Sequence, residues 1–377
     1  MDIAEMTYSP KEQEVKALIA QLSGSEYLPL AAQYLYPELT EAQLREVLSG
    51  VTSVDEFQFT FMFRFCQWIV DNTLSDLTHE GLEKMATLPP SVFISNHRDI
   101  VLDALLLQYL RICAKIKTTY EVVGANLFEM PLMRMLATLN KMTPLQRGGT
   151  KREQYNAFSS LSQWIRQRVG AGDNIWIAQR NGRTKDGIDR TEEALIKMLA
   201  MSGDRKKPGE ALSALHLVPM SISYEWEPCG IEKARELARK QLEGTYVKAP
   251  GEDTHSIVQG ILAPKGRVHI TLGDPITRDD LVAAADTLEV AQLIDRRIAA
   301  GYRLWPNNYI AADLLSTSHP QFSIFNSQFS ISQYTPAQRQ AFESYLDKAC
   351  AENPIPGFRD ILLGIYANPV LGASSFS

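Results

Sequence analysis

Between residues 90 and 225 short apolar runs alternate with longer amphipathic ones, and this alternation sharply limits the folds open to the chain. SVFIS (91–95) leads into the helical run LLLQYLRICA, YEVVG (120–124) into PLMRMLATL, and KMTPL (141–145) into TKREQYNAFSSLSQWIRQRV. NIWIA (174–178) and LHLVPMSISY (215–224) follow, and GRVHITLGDPI (266–276) adds another strand. Strands separated by helical segments predict an α/β fold: a central, largely parallel sheet flanked by helices.

The flanks read differently. SPKEQEVKALIAQL has a Ser-Pro start and places Val15, Leu18, Ile19 and Leu22 at helical spacing. In SVDEFQFTFMFRFCQWIV the phenylalanines alternate as in a strand, but Phe57, Phe61, Phe65 and Ile69 also fit a helix. Ser53 and Glu56, in capping-box spacing, decide for the helix. LPPS (88–91) marks a boundary. The reading is an N-terminal helical region (1–88), an α/β domain (89–275) with a helix-and-loop insertion at about 226–262, and a helical C-terminal extension (276–377). Within that extension STSHPQFSIFNSQFSISQY reads as a polar connection and TPAQRQAFESYLDKA as the last helix.

Bulk properties remove several functions. A net charge of −6 argues against nucleic acid as a partner. Cys66, Cys113, Cys229 and Cys350 lie far apart with no CxxC pair, as expected of reduced thiols in the cytoplasm. MDIAEMTYSPKEQEV does not read as a signal peptide, and no apolar run reaches the roughly 18 residues of a spanning helix. The expectation is a cytoplasmic protein, free or peripheral on the membrane.

Ligands of open α/β sheets bind beyond the carboxyl ends of the strands. Three such ends carry unusual residues: Asn96-His97-Arg98-Asp99 with Asp103 after SVFIS, Gln146-Arg147-Gly148-Gly149 after KMTPL, and Gln179-Arg180-Asn181-Gly182-Arg183-Thr184-Lys185 after NIWIA. A histidine accepts a proton near neutrality, and a carboxylate on its other nitrogen fixes the tautomer. Arginines beside glycines suit an anion, because the guanidinium fork and nearby backbone N–H groups both reach phosphate oxygens. The stretch from Met130 to Arg152 strengthens the second idea: Arg134, Lys141, Arg147, Lys151 and Arg152 stand there with no acid.

In order and distance, SNHRDIVLD, NKMTPLQRGG, AQRNGRTKDG and LVPMSISYE resemble the four sequence blocks of the glycerolipid acyltransferases, which include the 1-acylglycerol-3-phosphate and glycerol-3-phosphate acyltransferases. The wording, with YRLWPNNYIAADLL downstream, looks like a bacterial branch without a transmembrane helix. The resemblance implies transfer of a fatty acyl group from acyl-CoA or acyl-carrier protein to a hydroxyl of a glycerophosphate or lysophosphatidate, as in phospholipid synthesis. It implies His97 as general base, Asp103 orienting it, and Arg147, Asn181, Gly182 and Arg183 at the substrate phosphate. Arg180 and Lys185 flank that block, and Pro219 lies in the fourth. No metal or other cofactor is implied.

Two positions depart from the family pattern. The usual H-x4-D is here H-x5-D, since Leu102 precedes Asp103, and Asp99 is an alternative carboxylate for His97. Asn181 stands where the family has glutamate. That change suits a second reading, a catalytically altered lipid-binding or scaffolding protein on the same fold, while the intact His97 argues against it. A third reading is a metal-dependent phosphoesterase using His97, Asp99 and Asp103. The aromatic segment 57–70 and the basic stretch 130–152 together predict peripheral contact with an anionic membrane. Trp176, Met135, Leu136 and the 57–70 helix are the candidates for an acyl groove.

Overall fold

The computed structural model describes residues 10–129, 131–146, 148–204, 206–316, 319, 321–322 and 333–374. Among them, seven strands form one sheet: β1 (Leu74–Glu80), β2 (Val92–Ser95), β3 (Tyr120–Gly124), β4 (Met142–Leu145), β5 (Ile175–Ala178), β6 (Leu217–Tyr224) and β7 (Gly266–Leu272). Their order is β1-β7-β6-β2-β5-β3-β4. All pairings are parallel except that of β6 with β7. The expected α/β class and its largely parallel sheet are therefore present.

The two-residue period of the strands divides the core between the two faces. Val92, Ile94, Ile175 and Ile177 point to one side, where they meet Leu161 and Ile165 of the helix Lys151–Gly170 and Ile294 and Ile298 of the helix Thr287–Gly301. Phe93, Trp176, Val218 and Met220 point to the other, against Leu102 and Leu106 of the helix Leu102–Cys113 and Ile69 of the helix Phe63–Thr73. Central strands covered on both faces need such unbroken apolar runs, which is why the sequence displays them so clearly.

Two further cores flank the sheet. The N-terminal helices gather Val15, Ile19, Leu44, Leu48, Phe57 and Phe61 around Met135 and Leu139 of the helix Pro131–Leu139. The helix Gly230–Glu243, from the stretch read as an insertion, packs Ala234 and Ala238 against Ile310, Phe342 and Leu362 of the C-terminal helices. The segment from Ser53 is helical, as its cap predicts: Ser53 accepts from Glu56 N, and a π-helical turn, Gln58–Met62, leads into Phe63–Thr73. Phe57 and Phe61 are buried, whereas Phe59 is exposed.

Two expectations need correction. The N-terminal region read as helical, 1–88, also holds a strand, because Leu74–Glu80 is an edge strand paired with β7. LSDLTHE has no apolar alternation, and the pairing is imposed by β7 rather than by local preference. Nor is the helix Pro336–Glu352 the last, since Phe358–Ser374 forms another. Most of the connection at 316–334 lies outside the described residues. Among the described residues no helix is long and apolar enough to cross a membrane.

Candidate active site

The carboxyl end of β2 is fixed by Asn96. Its side-chain amide makes a two-way bond with the backbone of Ile222 in β6, accepting at 2.8 Å and donating at 2.9 Å. On the opposite side Gln179 N, just past β5, donates to Ser95 O at 2.7 Å, and Thr184 N donates to His97 O at 2.6 Å. The first and third motif loops are thus bonded to each other, with His97 held between them.

His97 meets Asp103 rather than Asp99. Nδ1 lies 3.0 Å from Asp103 Oδ2. The helix begins only at Leu102, so the extra residue of H-x5-D lies in the preceding loop while the Asp103 carboxylate reaches back out of the first turn. That carboxylate is wholly buried and fully engaged: Oδ2 also accepts from Arg98 N and Asp99 N at 2.7 and 3.0 Å, and Oδ1 accepts from the Tyr224 hydroxyl at 2.8 Å. A carboxylate only accepts, so Nδ1 carries the proton and Nε2 is the basic nitrogen of a ring that lines a cleft of about 150 Å³.

Asp99 has another task. Its Oδ1 accepts from Val101 N and Leu102 N at 2.8 and 2.9 Å and so satisfies backbone donors at the helix entrance, just ahead of the N-cap position Val101. Its Oδ2 is buried with no hydrogen-bond partner among the described residues, and burial followed by the nearby Asp103 raises its pKa. Gly260 makes room for it, since a Cβ there would strike the Asp99 carboxylate.

Arg98 turns away from the cleft into a buried ion cluster. Its guanidinium bonds Asp189 at 2.7 Å and Glu227 at 3.2 Å, and Lys233 bridges Glu227 and the Arg98 carbonyl at 2.6 and 2.7 Å. Burial opposes the Arg98 charge, but Asp189, Tyr302 and Glu227 together raise its pKa well above the ordinary value. The polar cluster at the lip of β2 thus has three roles: His97 and Asp103 form a dyad, Asp99 ties down the turn that enters the helix, and Arg98 anchors the motif to later parts of the chain.

The loop after β5 brings cationic side chains to the cleft. Arg180, Gly182, Arg183 and Lys185 line the same cleft as His97. Arg180 Nε and Arg183 Nη1 are buried without a hydrogen-bond partner among the described residues, a state that favours an acceptor brought by a ligand. Gly182 has φ of 70°, a left-handed conformation that favours glycine. Lys185 is tied to Glu236, and burial lowers its pKa. Asn181 lines a neighbouring cavity of about 240 Å³ that shares Arg180 with the cleft. Pro219 is buried in β6 opposite Ile94 and does not line the cleft. Arg147 lies outside the described residues.

Sequence reasoning missed Tyr224, Lys248 and Asp253. The last two lie in the stretch read as an insertion yet wall the cleft, paired at 2.5 Å. Tyr224 gave one usable signal, since a tyrosine ending a wholly buried strand needs a partner for its hydroxyl. Tyr224→Phe leaves Asp103 Oδ1 unpaired in a dry site. It is expected to cost about 1–3 kcal/mol in urea denaturation. Among the described residues no three His, Cys, Asp or Glu side chains gather as a metal site.

Residues 76–223 match the family model described as Acyltransferase. The match runs from β1 into β6 and contains the dyad and the loop after β5. No curated protein matches the chain. Among solved structures it is similar to the 1-acyl-sn-glycerophosphate (LPA) acyltransferase PlsC from Thermotoga maritima, at 12% identity and a TM-score of 0.40, with 76% of this chain and 92% of that chain covered.

Proposed function

With residues 76–223 placed in the acyltransferase family, we propose that the chain transfers a fatty acyl group from a thioester, acyl-CoA or acyl-carrier protein, to the hydroxyl of a phosphorylated glycerol or lysophosphatidate in phospholipid synthesis. One observation carries this reading: a His97–Asp103 pair at 3.0 Å opens on a cleft shared with Arg180 and Arg183, whose Nε and Nη1 respectively are buried with no partner among the described residues.

In the proposed reaction His97 Nε2 takes the acceptor hydroxyl proton as that oxygen attacks the thioester carbonyl carbon. Asp103 holds the ring and stabilises the imidazolium that forms. The tetrahedral adduct then collapses, the C–S bond breaks, and the leaving thiolate recovers the proton from the imidazolium. No group outside donor, acceptor and protein is needed to balance the step. Arg183, with Arg180 beside it, would hold the acceptor phosphate and so place its hydroxyl at Nε2.

Asn181 does not weaken this scheme, because it lines the neighbouring cavity rather than the His97 cleft.

The test is an acyl-transfer assay that offers each donor against glycerol-3-phosphate, lysophosphatidate and their dephosphorylated counterparts. Wild type should prefer the phosphorylated acceptors. Arg183→Ala should lower kcat/KM for them about ten- to a hundredfold and leave the dephosphorylated ones little changed, in keeping with about 1.5–3 kcal/mol for a charged hydrogen bond. Equal loss on both acceptor types would remove the phosphate role. No transfer to any acceptor would count against the activity.

A further inference from the structure

A second, strongly apolar cavity of about 120 Å³ adjoins the catalytic cleft, among the helices Phe63–Thr73, Leu102–Cys113 and Pro131–Leu139. Ile100, Val123 and Leu127 wall both spaces, so only these side chains separate the cavity from a thioester held at His97. Phe65, Ala104, Leu105 and Leu136 make the flanks apolar.

The far end is different: Gln58, Gln108, Thr118, Glu121 and Asn140 line it. The topology brings them together. β3 runs toward the cleft, so Glu121 stands deeper than Val123, while the helix from Leu102 runs away from the cleft and carries Gln108 down to Thr119. There the Gln108 amide donates to the Thr119 hydroxyl and accepts from its backbone N–H, both at 2.8 Å. The Thr118 hydroxyl donates to Gln58 at 2.6 Å and accepts from Lys141 at 2.8 Å.

Glu121 is the unusual member. It is 3% exposed on the wall of an apolar space, and the proposed reaction does not use it. Burial raises its pKa to about 8, against smaller opposing effects of Gln108 and Lys141. A carboxyl shifted in this direction favours its protonated form, which donates a hydrogen bond as well as accepting one.

We propose that Glu121 is a specificity-determining residue: it closes the acyl pocket and selects a chain bearing a hydroxyl at its far end over a plain alkyl chain of equal length. The inference rests on the acyl-transfer reading. A terminal hydroxyl adds a hydrogen bond to a carboxyl that Gln108 already contacts, whereas a methyl end sets hydrocarbon against it. Sites built to bond a substrate hydroxyl discriminate strongly against the analogue that lacks it.

The test compares a saturated acyl-CoA series with its ω-hydroxy counterparts on wild type, Glu121→Gln and Glu121→Leu. Binding is measured by calorimetry without acceptor, and kcat/KM is measured separately. Wild type should favour the hydroxylated chain about tenfold at the best-fitting length. Glu121→Gln, which keeps a donor and an acceptor, should retain most of that preference, and Glu121→Leu should reverse it. No preference in wild type, an unchanged preference in Glu121→Leu, or no binding of either series would overturn the proposal. If Glu121→Leu does not fold, the wild-type and Glu121→Gln ratios decide. Selective binding without any acyl transfer would sink the acyl-transfer reading and leave the pocket's selectivity standing.

Discussion

His97→Ala is expected to lower kcat for acyl transfer about a hundred- to ten-thousandfold, the range associated with a positioned general base. The fold should survive, because the ring sits at the rim of the cleft with 15% of its side chain exposed. Asp103 keeps the Arg98 and Asp99 backbone N–H bonds and the Tyr224 hydroxyl when the imidazole is gone. The loss should fall on kcat, with the acceptor KM little moved, since the arginines that would hold the acceptor are untouched. Radiolabelled transfer beside a thermal unfolding scan checks both parts. A large fall in stability would mean that the histidine is mainly structural.

Arg98→Met should be the most damaging change to stability, at about 3–5 kcal/mol, the range for removing one partner from a buried ion pair. The methionine fills similar space but leaves Asp189 and Glu227 without the guanidinium that offsets their burial. Asp189 would retain Asn96 at 3.1 Å and Thr184 at 2.7 Å, and Glu227 would retain Lys233 at 2.6 Å, so the cluster is weakened rather than erased. The contact of Arg98 with the face of Tyr302, 5.2 Å to its ring centre, would also go. Urea denaturation measures the cost. Adding Asp189→Asn and Glu227→Gln to Arg98→Met should recover part of it, because the stranded charges are then gone. A cost below about 1 kcal/mol for the single change would show that solvent reaches the cluster.

How much of this was legible in the sequence depends on where the determining contacts lie. β2, β3, β5 and β6 were legible because strands covered on both faces require short apolar runs. β1 was not, since an edge strand such as LSDLTHE takes its state from β7, far along the chain. His97, Asp103, Arg180 and Arg183 were legible as residue types at strand ends, and the structure brings them to one cleft or its wall. The choice between Asp103 and Asp99 was not, because it turns on where the helix starts, and Asp99 is bonded to the backbone of the turn just before it. Arg98 looked like a candidate for chemistry, but its partners Asp189 and Glu227 are contacts that no local pattern announces. The same holds for Tyr224, Lys248 and Glu121, each brought to the site or its adjoining cavity by tertiary packing alone.

The most direct test of the account is a double-mutant cycle on the dyad. Acyl transfer to the preferred phosphorylated acceptor would be measured for wild type, His97→Ala, Asp103→Asn and the double variant, with unfolding measured alongside. If the pair works as one unit, each single change costs most of the rate and the double variant is no slower than His97→Ala. Additive losses would mean that the two act independently. Transfer undiminished in His97→Ala would contradict the account at its centre.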